Sequence, residues 1–586
     1  VTSNIQTQID TKAPTASPTF TGDATINGLT VGLGLAGVTT NTVVGKNALD
    51  ANTTGAQNTA IGEDALGANE GASNNTAVGK AALYSNTTAG TNTAVGKNAA
   101  YSNTTGIQIT ALGHNALYTN TVGGHNVAIG KDALQANDDG NDNTAIGTGA
   151  LYSNDDADNN TAVGYFALYE NTTGNHNTAI GAKTLTTNES GEKNTAVGRY
   201  ALRYNESGHG NTASGYLALN ANTTGGYNTA CGMEALKTNS TGSYSTAVGY
   251  QALRLNTGSE NSAFGRQALY TNDDGSYNAA FGAFALYTND DGHYNAAFGY
   301  GSLKLNTSGG YNTACGQDAL FYNTTGSYNT ACGRQALKAN TTADYSTAVG
   351  YYALWANEAA EVTACGKAAL GANTTGDYNT AVGCNALRFN TTGFRNTAVG
   401  NTSLYTNTVG DYNTAVGHYA LNQTDDGNKN TGIGYYAGQS ITTGDYNICL
   451  GYNAQPSSAT VDDEVVLGDA QIATLRCNTS TISALSDARD KVEVEPSPLG
   501  VDFLNTLNPV KFKWDTREGN SKDGTHEIGF IAQELQAVQK ESNTEYLKMV
   551  IDENPDRLEA SYGQLVPILV QAIKELSAQV KELQTT

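Results

Sequence analysis

Positively charged residues are scarce in this sequence of 586 residues. Lys and Arg number 31 against 54 Asp and Glu, which gives a formal net charge of −23 at pH 7. A chain this acidic is repelled by phosphate backbones and by anionic lipid headgroups. Charged residues of either sign make up only 15%, a low share for a soluble globular protein. We therefore expect no nucleic acid among the partners of this protein.

Long apolar runs are missing as well. No stretch approaches the roughly 18 consecutive apolar residues that a membrane-spanning helix needs, so we expect no membrane insertion. No secretory signal peptide is visible. Because the chain begins at Val1 rather than at a methionine, we expect further sequence upstream of it.

What the sequence has in abundance is a short internal repeat. From Asn41 onward, Asn-Thr-Ala-Val-Gly or a close variant recurs, with its glycine at 25 positions from Gly45 to Gly451. Of the 24 intervals, 22 are 17 residues long, and two, Gly249 to Gly265 and Gly350 to Gly366, are 16. A fixed short period predicts stacked structural repeats, here a β-solenoid.

The working unit of the repeat is N-T-A-V-G-x-x-A-L-x-x-N-T-T-G-x-Y. Its Asn-Thr-Ala-Val segment is β-prone, and the glycine after it permits a turn. The adjacent Ala-Leu pair breaks strict alternation, so it indicates either a second strand or a single helical turn. Asn-Thr-Thr-Gly is typical of a turn. We expect the recurring valines and leucines to form internal ladders, for example Val78, Val95, Val163 and Val197 beside Leu83, Leu117, Leu168 and Leu202.

Two other columns of the repeat allow a functional interpretation. Tyrosine recurs two residues after the turn glycine (Tyr277, Tyr294, Tyr311, Tyr328) and after Ala-Leu (Tyr118, Tyr152, Tyr270, Tyr287). Such a column either binds sugar rings or stabilises the stack. The pairs Asp273-Asp274 and Asp290-Asp291 occupy successive repeats, where they form either a calcium site or solvated turns.

The seven cysteines show no metal-ligand spacing. Cys231, Cys315, Cys332 and Cys365 each stand where most repeats have Val before the glycine. We interpret them as small buried apolar side chains, and we expect neither a metal nor a cofactor.

After the repeats, Ser486-Asp-Ala-Arg-Asp-Lys491 places a hydroxyl and an amine five residues apart. A serine hydroxyl becomes a nucleophile when a base removes its proton. A lysine amine is such a base only when desolvation favours its neutral form. Taken alone, the pair is equally explained by a solvated polar turn.

Three further motifs follow: LNTLNPVKFKW at 504–514, HEIGFIAQE at 526–534 and YGQLVPILVQAIKEL at 562–576. In that order they resemble the self-cleaving intramolecular chaperone domain of phage tail fibres and endosialidases. The resemblance implies that Ser486 is the nucleophile, that Lys491 is the general base, and that the Leu485–Ser486 bond is cut. It also implies a homotrimer.

The C-terminal region reads as a small α+β domain. We predict a helix at Val501–Leu507, a strand at Val510–Trp514, a strand and helix within Ile528–Val538, a strand at Tyr546–Ile551 and a long final helix. Apolar residues of that helix alternate at three- and four-residue spacing, the pattern of a coiled-coil seam: Val566, Leu569, Ile573, Leu576, Val580 and Leu583. β-branched residues at a with Leu at d favour a dimer, but because the resemblance implies a trimer, we expect three chains.

The repeat itself resembles the head repeats of trimeric autotransporter adhesins, which implies a β-roll of three chains. Residues 13–32 resemble linker segments of phage tail fibres. We divide the chain into an N-terminal lead-in (1–40), a repeat shaft (41–456), a neck (457–485) and a chaperone and autoprotease domain (486–586).

These observations predict a mostly β protein, an elongated trimeric β-solenoid or β-roll shaft with a small α+β domain ending in a coiled-coil helix. The predicted function is a receptor-binding tail fibre of a bacteriophage, made in the host cytoplasm and carried on the virion. Its expected partners are two further copies, a host cell-surface glycan, and other tail proteins reached through the upstream region.

The alternative function is that of a bacterial surface adhesin. A polysaccharide depolymerase needs a cleft with paired carboxylates, and the regular intervals leave no insertion to build one.

Overall fold

The computed structural model describes residues 24–26, 29–34, 38–472, 489, 491–515, 524, 526–552 and 558–585. Two compact units divide the chain, one from Val1 to Ala360 and the other from Glu361 to Thr586. The helices within the described ranges are too short or too polar to span a lipid bilayer.

The first unit consists mainly of three-residue strands that pair in parallel with the equivalent residues of the next repeat. Thr161, for example, pairs with Thr178. One repeat therefore forms one coil of a β-solenoid, as the fixed period predicts. The strands are β1 (Ala24–Ile26), β2 (Leu29–Gly32), β3 (Thr42–Val44), β4 (Thr59–Ile61), β5 (Thr76–Val78), β6 (Thr93–Val95), β7 (Thr110–Leu112), β8 (Val127–Ile129), β9 (Thr144–Ile146), β10 (Thr161–Val163), β11 (Thr178–Ile180), β12 (Thr195–Val197), β13 (Thr212–Ser214), β14 (Thr229–Cys231), β15 (Thr246–Val248), β16 (Leu255–Asn256), β17 (Ser262–Phe264), β18 (Thr271–Asn272), β19 (Ala279–Phe281), β20 (Ala296–Phe298), β21 (Thr313–Cys315), β22 (Thr330–Cys332) and β23 (Thr347–Val349).

The second unit contains further coils of the same kind, followed by a small α+β domain. Its parallel strands are β24 (Thr363–Cys365), β25 (Thr380–Val382), β26 (Thr397–Val399), β27 (Thr414–Val416), β28 (Thr431–Ile433), β29 (Ile448–Leu450) and β30 (Val465–Leu467). The α+β domain comprises α1 (Val501–Leu504), β31 (Val510–Lys513), β32 (His526–Gly529), α2 (Ala532–Ser542), a 3-10 turn (Glu545–Leu547), β33 (Val550–Ile551), β34 (Glu559–Ala560) and α3 (Leu565–Thr585). The predicted fold class, a 17-residue β-solenoid with a small domain ending in a helix, is confirmed.

The interior of the solenoid is narrower than the sequence suggests. Successive residues of a strand face opposite sides, and in these three-residue strands the middle alanine faces inward and is fully buried, as at Ala77, Ala94, Ala162 and Ala196. The predicted internal ladder of Val78, Val95, Val163 and Val197 is therefore wrong for the single chain, because these valines face outward and Val197 is 39% exposed. The predicted leucine ladder is confirmed, since Leu83, Leu117, Leu168 and Leu202 are fully buried.

The Ala-Leu segment is neither a strand nor a helical turn. Leu134 and Leu168 adopt left-handed backbone conformations, with φ of 51° and 50°. Their backbone N–H groups nevertheless donate to the next coil, Leu134 to the carbonyl of Ala150 at 2.9 Å. The turns, like the strands, are thus hydrogen-bonded from one coil to the next. These bonds pair backbone groups that are buried here and that water would pair in a solvated turn.

Two columns of buried asparagines hold the coils together, a role that the turn interpretation of Asn missed. Asn137 is fully buried, and its Nδ2 donates to Oδ1 of Asn120 at 2.7 Å and to the carbonyl of Gly140 at 3.0 Å. In the second column, Asn143 Oδ1 accepts from the backbone N–H of Asn160 at 3.0 Å. Buried amides are stable only when paired, so each asparagine requires its counterparts in adjacent coils.

The glycine after each strand is required by the close approach of the next coil. At Gly130 φ is +138°, and a Cβ there would lie 2.6 Å from the carbonyl carbon of Gly147. Any side chain would push two coils apart at a backbone contact that cannot give way.

The interval from Gly249 to Gly265 is one residue shorter than the others, and the missing residue comes from a turn. The column of buried asparagines continues through this coil. Asn256 Nδ2 still donates to Asn239 Oδ1, at 3.0 Å, and its turn carbonyl is now supplied by Gly258, two residues on. The shorter turn pairs Leu255–Asn256 in parallel with Thr271–Asn272. Because the deletion is absorbed at the surface, the register of the interior is preserved.

A charged cluster beside this short coil gives a prediction on pH. Burial opposes ionisation of Glu234, but hydrogen bonds from Lys237, Gln251 and Arg254 outweigh it and lower the pKa of Glu234 from 4.5 to about 2. The folded state therefore gains stability from this carboxylate above pH 4.5, and loses it as the pH falls from 4.5 toward 2.

We expect Glu234→Gln to lower the free energy of unfolding by about 1 kcal/mol at pH 7 and by almost nothing at pH 2. Thermal melts at both pH values measure the difference, with the exposed Glu189→Gln as control. An equal loss at the two pH values would contradict the assignment.

Candidate functional site

Of the two predicted catalytic residues, Ser486 and Lys491, and the residue before the predicted cut, Leu485, the structure describes Lys491. Leu485 and Ser486 lie outside the described residues, so the Ser486–Lys491 dyad stays a prediction. Lys491 is exposed and belongs to a segment, 491–500, that forms neither helix nor strand. The secondary structure of this segment therefore does not hold the Lys491 amine in a buried position in the single chain.

The domain that follows is built around one apolar cluster. α1, α2, the 3-10 turn and α3, with the segments after α1 and after the 3-10 turn, contribute its buried residues: Phe503, Leu507, Leu535, Leu547, Met549, Leu565 and Ile568. The predicted elements are found with shifted bounds. The strand expected at Tyr546–Ile551 begins instead as a 3-10 turn, because Lys548 adopts a left-handed conformation with φ of 43° that ends it before β33.

The three motifs that carry the resemblance meet in space. Tyr562 packs its ring against Phe530, with centroids 5.5 Å apart, and its hydroxyl accepts a hydrogen bond from the Phe530 backbone N–H at 3.3 Å. A Cβ at Gly529 would lie 2.9 Å from that hydroxyl and 3.3 Å from the ring of Phe512. The glycine of HEIGF is therefore needed to let the tyrosine of the third motif lie over the strand of the first.

A carboxylate of the final helix fixes the start of α1. Glu575 accepts a hydrogen bond from the backbone N–H of Val501 at 2.8 Å and another from Gln571 at 2.9 Å. These bonds, that of Val501 foremost, lower the pKa of Glu575 below its usual value. A carboxylate is favourable at the N-terminal end of a helix, where backbone N–H groups are otherwise unpaired.

The final helix α3 has two apolar faces. Leu565, Ile568 and Ala572 are buried against the domain. The predicted seam lies on other positions and is exposed, with Ile573 at 62% and Leu583 at 77%. Contiguous exposed apolar surface of this kind is typical of protein–protein interaction sites.

The tyrosine column after the turn glycine is a continuous stack. Ring centroids from Tyr277 through Tyr345 are 4.9–5.1 Å apart, and neighbouring planes differ by 3° to 15°. Each inner ring covers the faces of its neighbours, so only the edges and hydroxyls face solvent. Because sugar rings pack on aromatic faces, this geometry supports the stabilising interpretation of the column.

The cysteine interpretation is wrong for the four residues that replace valine. Cys231, Cys315, Cys332 and Cys365 are exposed, because they take the outward position of the strand. Cys449, in the middle position of β29, is buried, and burial raises its pKa to about 12. Within the described ranges, no three His, Cys, Asp or Glu side chains come together as potential metal ligands.

Comparison with curated proteins and with solved structures finds no similar protein. Residues 486–544, however, match the family model described as the chaperone of endosialidase, peptidase S74. The match begins at Ser486 and takes in the first two motifs, whose residues pack against the third. The C-terminal region of this chain is therefore similar to the endosialidase-chaperone family, and it follows a β-solenoid of 17-residue repeats.

Proposed function

We propose that this protein is a homotrimeric bacteriophage tail fibre that binds a host cell-surface receptor. In this proposal, the domain from Ser486 onward guides assembly and then cleaves itself off. The observation that carries the proposal is the match to the endosialidase-chaperone family directly after an array of interchangeable coils.

The coils explain why a chaperone is needed. Each strand pairs with equivalent residues of its neighbour, for example Ala162 with Ala179. Shifting one chain by a whole repeat against another chain would preserve nearly every such match, so the repeats specify register weakly, which invites slippage and aggregation. A separate domain at one end that associates first would hold the three chains level before the repeats stack.

Cleavage would follow from the same assembly. Ser486 attacks the carbonyl carbon of Leu485 and forms an ester, the amide nitrogen leaves with a proton, and water then hydrolyses the ester. Lys491 takes the hydroxyl proton of Ser486, which requires that the amine be held neutral by desolvation. Because Lys491 is exposed in the single chain, we infer that other copies of the chain bury it, so that cutting is coupled to assembly. Removing the domain then leaves a kinetically trapped fibre.

The exposed seam of α3 supports self-association. The seam runs over three heptads on the face next to the buried one, since Val566, Leu569 and Ile573 each directly follow a buried residue of the helix. Its alternating three- and four-residue spacing is that of a coiled coil. The outward valine column of the solenoid adds a second apolar surface, half-exposed in the single chain.

Ile573→Glu should abolish the trimer, because it would place one charge per chain at the same level of the seam, unpaired and desolvated. Size-exclusion chromatography with light scattering measures the mass. Ala578→Glu is the matched control, since it adds the same charge to the same helix at an exposed position away from the seam. A wild-type monomer, or a trimer that survives Ile573→Glu, would show that the seam does not associate the chains.

A further inference from the structure

We propose that the first unit binds an acidic polysaccharide along one side of its solenoid, an inference that rests on the proposed attachment role and locates it. The surface consists of four cations and two tyrosines in the turns that follow the strand glycines: Arg266, Tyr300, Lys304, Tyr322, Arg334 and Lys338. We call it the cation–tyrosine surface.

Two phenylalanines hold three of these cations in a row, and the fourth, Arg334, lies over the ring of Tyr351, 5.8 Å from its centroid. Lys304 Nζ lies between the rings of Phe284 and Phe321, 5.3 Å and 5.2 Å from their centroids. Lys338 Nζ lies 5.7 Å from the Phe321 centroid, and the Arg266 guanidinium lies 4.5 Å from that of Phe284. Cation–π contacts of this kind restrict long side chains without neutralising them. The charges are thus ordered before any ligand arrives, which lowers the entropic cost of binding.

The cations keep their charge available. No carboxylate among the described residues lies within ion-pair distance of Arg266, Lys304, Arg334 or Lys338, whereas Lys80 and Lys237 each pair with a glutamate. In a chain with a net charge of −23, a row of cations without carboxylate partners is complementary to an anionic ligand.

The spacing favours a ligand of low charge density. Lys304 and Lys338 occupy equivalent positions two coils apart, about 10 Å at the usual strand separation, which is about the length of a disaccharide. Duplex DNA carries one charge per roughly 1.7 Å, and the acidic turn in the coil of Arg266, Asp273-Asp274, would repel such a density. A polysaccharide with one carboxylate per disaccharide matches the row better than a nucleic acid does.

Tyr300 and Tyr322 supply surface for sugar rings. Tyr300 is 52% exposed and stands at 84° to Phe284, and Tyr322 is 45% exposed and stands at 73° to Phe321. Neither belongs to a parallel stack like that of Tyr277 and Tyr294. Exposed aromatic rings beside ordered cations offer both kinds of contact that an acidic sugar makes, packing and charge-assisted hydrogen bonds.

The test uses the full chain and hyaluronan, which carries one carboxylate per disaccharide, in affinity electrophoresis at fixed ionic strength. We expect retention by hyaluronan and none by neutral dextran. Lys304→Gln with Lys338→Gln should weaken hyaluronan binding by about tenfold. Lys46→Gln with Lys97→Gln, which removes two exposed lysines from the same unit, should leave it unchanged.

Tyr300→Ala separates sugar recognition from simple charge attraction. It should weaken binding to hyaluronan and leave any residual binding to polyglutamate unchanged. The proposal is overturned by absent retention on hyaluronan, by equal losses in the two lysine pairs, or by equal retention on polyglutamate or single-stranded oligo-dT. Fragment release and trimer mass, measured on the same preparation, report separately on the proposed function.

Discussion

The Ser486→Ala variant should fold and assemble, yet remain at full length on a denaturing gel. The wild-type chain of 60.8 kDa should instead release a C-terminal fragment of about one sixth of its mass, beginning at Ser486. The difference is all or none, because alanine has no oxygen with which to attack the carbonyl of Leu485. N-terminal sequencing or intact mass of the fragment locates the cut.

Substitutions at Lys491 test the base. Lys491→Ala and Lys491→Arg should both block cleavage, because a guanidinium stays protonated and cannot accept the hydroxyl proton. Arg489→Ala is the neighbouring control and should still be cut. Cleavage of the Ser486→Ala variant at the same bond would show that another nucleophile or a host protease cuts the chain. An uncut wild-type chain that assembles would leave the domain as a chaperone alone.

The solenoid could be predicted from the sequence because its period is a property of the chain. A recurrence every 17 residues specifies stacked coils whatever the path of each coil. The path of each coil depends on which residue of a three-residue strand faces the interior. Hydrophobicity predicts the valine, whereas the structure buries the alanine. Ala162 faces the interior and Val163 faces outward, because they are successive residues of one strand.

The buried asparagines show a second limit of hydrophobic patterning. Asn137 and Asn143 are polar residues in turn-like motifs, which normally face water. They are buried because the neighbouring coils supply partners for their amides: a second asparagine side chain for Asn137, and backbone groups for Asn143. The recurrence of both asparagines at fixed positions in nearly every repeat was the available signal.

In the C-terminal domain, sequence motifs predicted the elements but not their contacts. Gly529, Phe512 and Tyr562 come from three separate motifs, and only the folded domain shows that the glycine makes room for the tyrosine. The bond from Val501 to Glu575 joins residues far apart in the chain, which no local pattern indicates.

Leu168→Ala should lower the stability of its coils far more than Val163→Ala does. Leu168 is fully buried and stacks in the internal ladder, so its truncation should cost about 2–5 kcal/mol through lost burial and a residual cavity. Val163 faces outward and is half-exposed, so its truncation should cost less than about 1 kcal/mol in an isolated chain. Amide hydrogen exchange of the coils around residues 161–185 measures the effect locally, which suits an array whose coils can open independently.

Equal losses of stability in the two variants, at concentrations where the chain is monomeric, would contradict the assignment of the interior. A loss at Val163 that appears only in the assembled protein would show instead that the outward valines pack against another copy of the chain.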